Sequence, residues 1–144
     1  MAKYFLDCEF NEFGGDLISI ALVSEFGHAI SLVVDCPSPS PWVAEHVIPF
    51  LFSDPESRLV ERRQIPRELM AYFIGDPQPH IICDWPDDIK YFCECLITGP
   101  GEMIAIPGLV FQVIRVQSYP SNVEGAIQHN AYWDAQALKA CFIS

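Results

Sequence analysis

Two carboxylates, Asp7 and Glu9, stand two positions apart in the segment KYFLDCEF. On a strand that spacing projects both side chains from one face, with Cα atoms roughly 6.5 to 7 Å apart. The pair repels unless positive charge lies between or beside it, and a divalent cation is the natural answer. The neighbours Tyr4, Leu6, Cys8 and Phe10 are apolar or aromatic, which points to an interior strand; the alternative is an acidic face on an exposed edge strand. Asp88 falls where a strand has ended and a helix begins. An acid in a first helical turn stabilises it by about 0.3 to 1 kcal/mol, so capping is the plain alternative to chemistry there, and Asp84 and Asp87 compete with Asp88 for any metal. His129 and Asp134 complete the set. Residues five apart lie about 140° apart around a regular helix, so these two share a site only if His129 precedes the helix and Asn130 caps it. Read singly, a histidine near a helix start also serves as a structural or surface side chain.

The elements that must position these groups follow from the apolar pattern. Lys3 to Phe10 and the near-continuously apolar Asp16 to Ser24 read as strands, separated by a loop around Asn11-Glu12-Phe13-Gly14-Gly15. Glu25-Phe26-Gly27 turns into a third strand, His28 to Val34, giving an antiparallel three-strand meander. The alternating prolines from Cys36 to Pro41 form a loop. Trp42 to Phe52 and Arg63 to Ile74 are expected to be helical, with Pro66 tolerated in a first turn. His80 to Asp84 is a compact strand, and Pro86-Asp87-Asp88 opens a helix through about Leu96. Gly99-Pro100-Gly101 and Pro107-Gly108 bound a linker, Leu109 to Val116 is another strand, and Asn130 to Phe142 is a terminal helix. The order predicts one α/β domain over residues 1–144: a mixed sheet, with the meander plus parallel strands, flanked by helices.

Composition bounds the function classes. The 144 residues are 51% hydrophobic and 19% charged, the balance of a globular domain that buries roughly 70% of its unfolded surface. A formal net charge of −11 argues against a protein that grips long duplex DNA or an anionic membrane. No apolar run of signal-peptide length opens the sequence, and no stretch nears the roughly 20 apolar residues of a membrane span, so a cytoplasmic location is expected. The six cysteines are then expected to be reduced thiols. Cys93 and Cys95 lack zinc-site spacing and, on a helix, point to nearly opposite sides.

Taken together, the order Asp7, Glu9, Asp88, His129, Asp134 resembles the three-motif signature of the DEDDh 3′-to-5′ exonucleases, a branch of the ribonuclease H-like superfamily. Asp7-Cys8-Glu9 matches the Asp-x-Glu of the first motif. Asp88 followed by Ile89-Lys90-Tyr91-Phe92 looks like the second, an aspartate leading into an apolar helix. His129 and Asp134 match the His-x4-Asp of the third, and Ala135, Leu138 and Ala140 resemble its small and apolar terminal helix. The resemblance covers Lys3 to Phe142. It extends to the small bacterial single-domain 3′-to-5′ exoribonucleases, where WVAEHVIPFL at Trp42 to Leu51 is also familiar, and more distantly to ribonuclease T and oligoribonuclease. One departure is Asp87, which stands where that family often has an aromatic.

The resemblance implies a ribonuclease H-like fold and hydrolysis of single-stranded RNA, or short oligonucleotides, to nucleoside 5′-monophosphates. It implies two Mg²⁺ ions, or Mn²⁺, with Asp7 bridging both, Glu9 and Asp134 on the nucleophile side and Asp88 on the leaving-group side. His129 would be the general base. Single strands are held by stacking on aromatics, for which Phe10 and Phe13 are candidates, while Arg62, Arg63 and Arg67 could touch phosphates, solvate a helix or reach a second subunit. Similar family members are homodimers. The alternatives are a DNA-directed, proofreading-like exonuclease and a catalytically inactive binding or scaffold module of the same fold.

Overall fold

The computed structural model describes residues 1–116 and 126–143. In chain order the elements are β1 (Lys3–Phe10), β2 (Leu17–Ser24), β3 (Ala29–Val33), α1 (Pro41–His46), β4 (Ser57–Leu59), α2 (Ile65–Tyr72), β5 (His80–Cys83), α3 (Pro86–Glu94), β6 (Ile97–Gly99), β7 (Glu102–Met103), β8 (Val110–Val113) and α4 (Ala131–Ile143). Six strands make one mixed sheet in the order β4-β3-β2-β1-β5-β8. β1, β2 and β3 form an antiparallel meander, and β1–β5, β5–β8 and β3–β4 pair in parallel. Among the described residues no helix is long and apolar enough to cross a membrane.

Alternation along β1 decides what each face of the sheet does. Tyr4, Leu6 and Cys8 enter the larger core with Leu69 of α2, Phe73 just past its end, and Tyr91 and Phe92 of α3. Phe5 points the other way, into a smaller cluster with Ile82 and Leu138 of α4. Period two therefore carries Asp7 and Glu9 to the α4 face. β2 is buried along its whole length, as a central strand covered on both sides must be. Gly27, at φ +95°, closes the turn between β2 and β3, where its N–H donates to the Ser24 carbonyl at 3.0 Å.

Several expected boundaries shift, each for a local reason. The helix expected over Trp42 to Phe52 is α1 followed by a 3₁₀ turn at Ile48–Phe50, because Pro49 has no N–H for a continuing α-helix. That expected from Arg63 begins with a 3₁₀ turn at Arg62–Gln64, and α2 starts at Ile65 with Pro66 in its first turn. β6, which ends at Gly99, pairs antiparallel with β7 inside the expected linker. β4 is an edge strand in a stretch with no strand pattern. It is held by parallel pairing of Ser57, Arg58 and Leu59 with Ser31, Leu32 and Val33 of β3, and the Ser57 hydroxyl lies 2.7 Å from that of Ser31. Cys93 is exposed and Cys95 buried, so they face opposite ways.

Candidate functional site

The site forms where β1 parts from β5. Parallel pairing between these strands stops at Phe5↔Ile82, leaving the second half of β1 with an open backbone edge. Beyond it a register shift between Glu9 and Phe10 marks a bulge against β2, a device that re-aims side chains beside active sites. The open edge is met by α3. Asp88, 4% exposed, accepts the Cys8 N–H through Oδ1 at 3.2 Å. Asp84 turns elsewhere: its Oδ1 accepts the Val116 N–H at 2.8 Å and lies 3.8 Å from Arg115 Nε. Of the three competing acids, Asp88 is the buried one.

The fourth acid arrives on α4, whose start is anchored with unusual care. Asn130 is 1% exposed. Its Oδ1 accepts the Trp133 N–H at 3.0 Å, and its Nδ2 donates to the Phe50 carbonyl at 2.8 Å and to Asp54 Oδ2 at 2.9 Å. Trp133 Nε1 donates to the Ser53 carbonyl at 2.8 Å. Asp54 is fixed in turn by the N–H groups of Glu56 and Ser57 and by the Ser57 hydroxyl. His129 lies outside the helix at φ +59°, a left-handed conformation that histidine tolerates better than most residues. Its ring meets the Trp42 ring edge-on with centroids 5.1 Å apart.

This folding brings carboxylate oxygens of Asp7, Glu9 and Asp134 within 4.8 Å of one another. Asp88 lies outside that tightest trio but close enough to raise the Asp7 pKa. Burial, then the charges of Asp134, Glu9 and Asp88, hold Asp7 well above the usual carboxylate range. Glu9 is raised by burial and then by Asp134. Burial lifts Asp88 to about 8, against the Cys8 hydrogen bond that favours its ionised form. Asp134 rises to about 6 through burial, opposed by hydrogen bonding with Glu9 and with the His129 backbone. Burial and then His46 push His129 down, which favours a neutral imidazole near pH 7.

Asp7 Oδ2 is buried without a hydrogen-bond partner among the described residues. A buried oxygen left so is costly, and the all-oxygen donor set around it suits a hard divalent ion such as Mg²⁺ or Mn²⁺. Ser19 Oγ is also buried and unpartnered, and Ser19 pairs with Glu9 in the β1–β2 register. A hydroxyl group therefore lies on the acids' face of the sheet.

A cleft of about 350 Å³ adjoins the acids, with Glu9, Phe10, Phe13, Trp42 and His129 among its lining. Phe10 is partly spent on the core, stacked on Tyr91 at 4.7 Å between centroids, whereas Phe13 is 77% exposed. The loop carrying Phe13 is tied to the segment before α1 through Asn11, which bonds Ser40 N and Ser38 O. Gly15 is obligatory in this loop because a Cβ would lie 1.8 Å from the Asn11 carbonyl oxygen. Arg62, by contrast, lines a separate cleft of about 890 Å³ with Lys90, Asp16 and Asp35, and Arg63 is paired with Glu61.

Sequence reading missed Trp42, Trp85, Asp54 and Ser19. Only Asp54 carried a local signal, as the Asp-Pro-Glu-Ser spelling of a turn. No protein-family model matches the chain, and no curated protein matches it.

Proposed function

We propose that this protein is a metal-dependent 3′-to-5′ exonuclease of the DEDDh type with a ribonuclease H-like sheet, releasing nucleoside 5′-monophosphates from single-stranded RNA or short oligonucleotides. The observation that carries the reading is the meeting of Asp7, Glu9 and Asp134 around the unpartnered Asp7 Oδ2, with an aromatic cleft alongside. The sheet order, a meander continued by two parallel strands, supports the fold assignment.

Asp7, Glu9, Asp134 and Asp88 would hold two Mg²⁺ or Mn²⁺ ions, which when bound stabilise the charge building on the attacking and leaving oxygens of a phosphodiester. The protein's own part is geometric and protonic. Strand periodicity fixes Asp7 and Glu9, the Asn130 latch fixes Asp134, and the Cys8 N–H orients Asp88. His129, neutral near pH 7 because it is partly buried, accepts the proton of the attacking water at an imidazole nitrogen. Such assistance is worth roughly 10² to 10⁴-fold in rate. Phe10 and Phe13 flank the cleft where the terminal base would lie.

The test is stepwise shortening, with release of mononucleotides, of 5′-labelled, sequence-matched RNA and DNA single strands with Mg²⁺ or Mn²⁺. Progressive 5′-monophosphate release is expected, and Asp7→Asn or Asp134→Asn should abolish it without unfolding the protein. The reading fails if the wild-type protein degrades neither strand with either metal. The RNA-to-DNA ratio distinguishes the ribonuclease from a proofreading-like enzyme.

A further inference from the structure

On one side of the aromatic cleft the lining continues into groups that no core uses. Phe13 stands 6.2 Å, between ring centroids, from Trp85, which is 38% exposed. The Arg115 guanidinium carbon lies 4.1 Å from the Trp85 ring centroid. Asp84 fixes this arrangement from behind, holding the Val116 N–H and lying beside Arg115 Nε. Large apolar side chains grouped on a surface mark binding sites, and a guanidinium laid on an indole is pre-organised in a way a solvated arginine is not.

We propose that Trp85 and Arg115 form the binding site for the nucleotide that precedes the scissile phosphate, with its base on the Phe13–Trp85 ledge and its phosphodiester against Arg115. This rests on the exonuclease reading for its direction but involves residues that do no chemistry. Three observations select the occupant. The ledge is continuous through Phe13 with the acid-lined cleft, so whatever enters the cleft extends onto it. Flat aromatic faces beside one cation complement a base followed by an anionic linker, since every base has a π-face. A net charge of −11 deprives the protein of a long cationic track, which leaves stacking and one placed guanidinium as the means of holding a strand.

The p-nitrophenyl ester of thymidine 5′-monophosphate tests this, because its leaving group is a single nitrophenyl ring, so that it carries no preceding nucleotide and no second phosphodiester for Arg115. Trp85→Leu and Arg115→Ala should each lower the ratio of kcat/KM on a pentanucleotide to that on the ester about tenfold, given the usual worth of a stacked base. The loss should appear in KM, and Trp85→Phe should recover most of it. In parallel, anisotropy of a labelled pentanucleotide is read with Ca²⁺, a hard cation that takes the same oxygen ligands; both variants should weaken binding by a similar factor. Because Trp85 stands at the N-cap position of α3, Arg115→Ala guards against a mere folding defect. The proposal is overturned if Arg115→Ala leaves both the ratio and the pentanucleotide affinity unchanged, or if the wild-type protein binds the pentanucleotide no tighter than thymidine 5′-monophosphate. Failure of the exonuclease reading looks different: neither substrate is cut, while the binding measurement still decides the ledge.

Discussion

His129 and the acids make opposite demands on pH. The imidazole must be neutral to accept a proton, and its lowered pKa extends that condition toward acid; the carboxylates must be ionised to hold cations, and burial and mutual repulsion raise theirs. Replacing His129 by Ala is therefore expected to lower kcat by roughly 10² to 10⁴-fold while leaving the Mn²⁺-induced rise in Tm near the wild-type value. An equal loss of both would make His129 a ligand. Asp88→Asn should reduce kcat/KM more than Asp84→Asn, since Asp88 is buried against β1 and Asp84 is engaged with Val116 and Arg115. The reverse ranking, from matched kinetics of the two variants, would move the second-motif role to Asp84.

Among the elements, α4 matters most, because one helix start delivers both His129 and Asp134. Its N-cap is also a tertiary latch: Asn130 satisfies the helix with Oδ1 and ties it with Nδ2 to Phe50 and Asp54. Asn130→Ala loses the cap, about 1 kcal/mol, and leaves buried partners unpaired at about 1–3 kcal/mol. A total near 2–4 kcal/mol should lower Tm by roughly 5 to 15 °C for a chain of this length. Asn130→Asp preserves the cap to Trp133 but sets a second carboxylate against Asp54. It should therefore recover less than a cap-only account predicts, which chemical denaturation of the two variants would show. The latch was half legible. Asn130 before an alanine-rich helix reads as a cap from local chemistry, but its partners lie 76 and 80 residues away, beyond any periodicity.

At the scale of the whole molecule, the acid cluster stores repulsion that a cation relieves. Carboxyl groups with raised pKa values retain protons that the unfolded chain has released, so the native state binds more protons between about pH 4 and 8, and metal-free stability falls as pH rises through that range. The steps centre on Asp134, at about 6, and Asp88, at about 8. Divalent ions binding only the native state reverse the trend, by about 2.7 kcal/mol at a hundredfold excess over Kd. Thermal melts in EDTA should show lower stability at pH 8 than at pH 5.5, and Mn²⁺ should raise Tm more at pH 8. In EDTA at pH 8, Asp7→Asn should melt higher than the wild-type protein, because it removes one of the mutually repelling charges. A Tm for that variant below wild type would show that Asp7 is a stabilising structural acid instead.

What the chain determines on its own is whatever depends on near neighbours. Period two commits Asp7 and Glu9 to one face of a strand, proline and acids start α3 at Pro86, and Asn130 separates His129 from its helix. Burial in two layers is likewise written into the unbroken apolar run of β2. Tertiary structure alone decided the rest. Ser19 acquires meaning only through the β1–β2 register, β4 only through its parallel pairing with β3, and Trp42 at the cleft and Trp85 and Arg115 on the ledge beside it come from three separate parts of the chain. Such contacts join segments that carry no common local pattern, and their free energy is realised only when the sheet has brought the strand ends together.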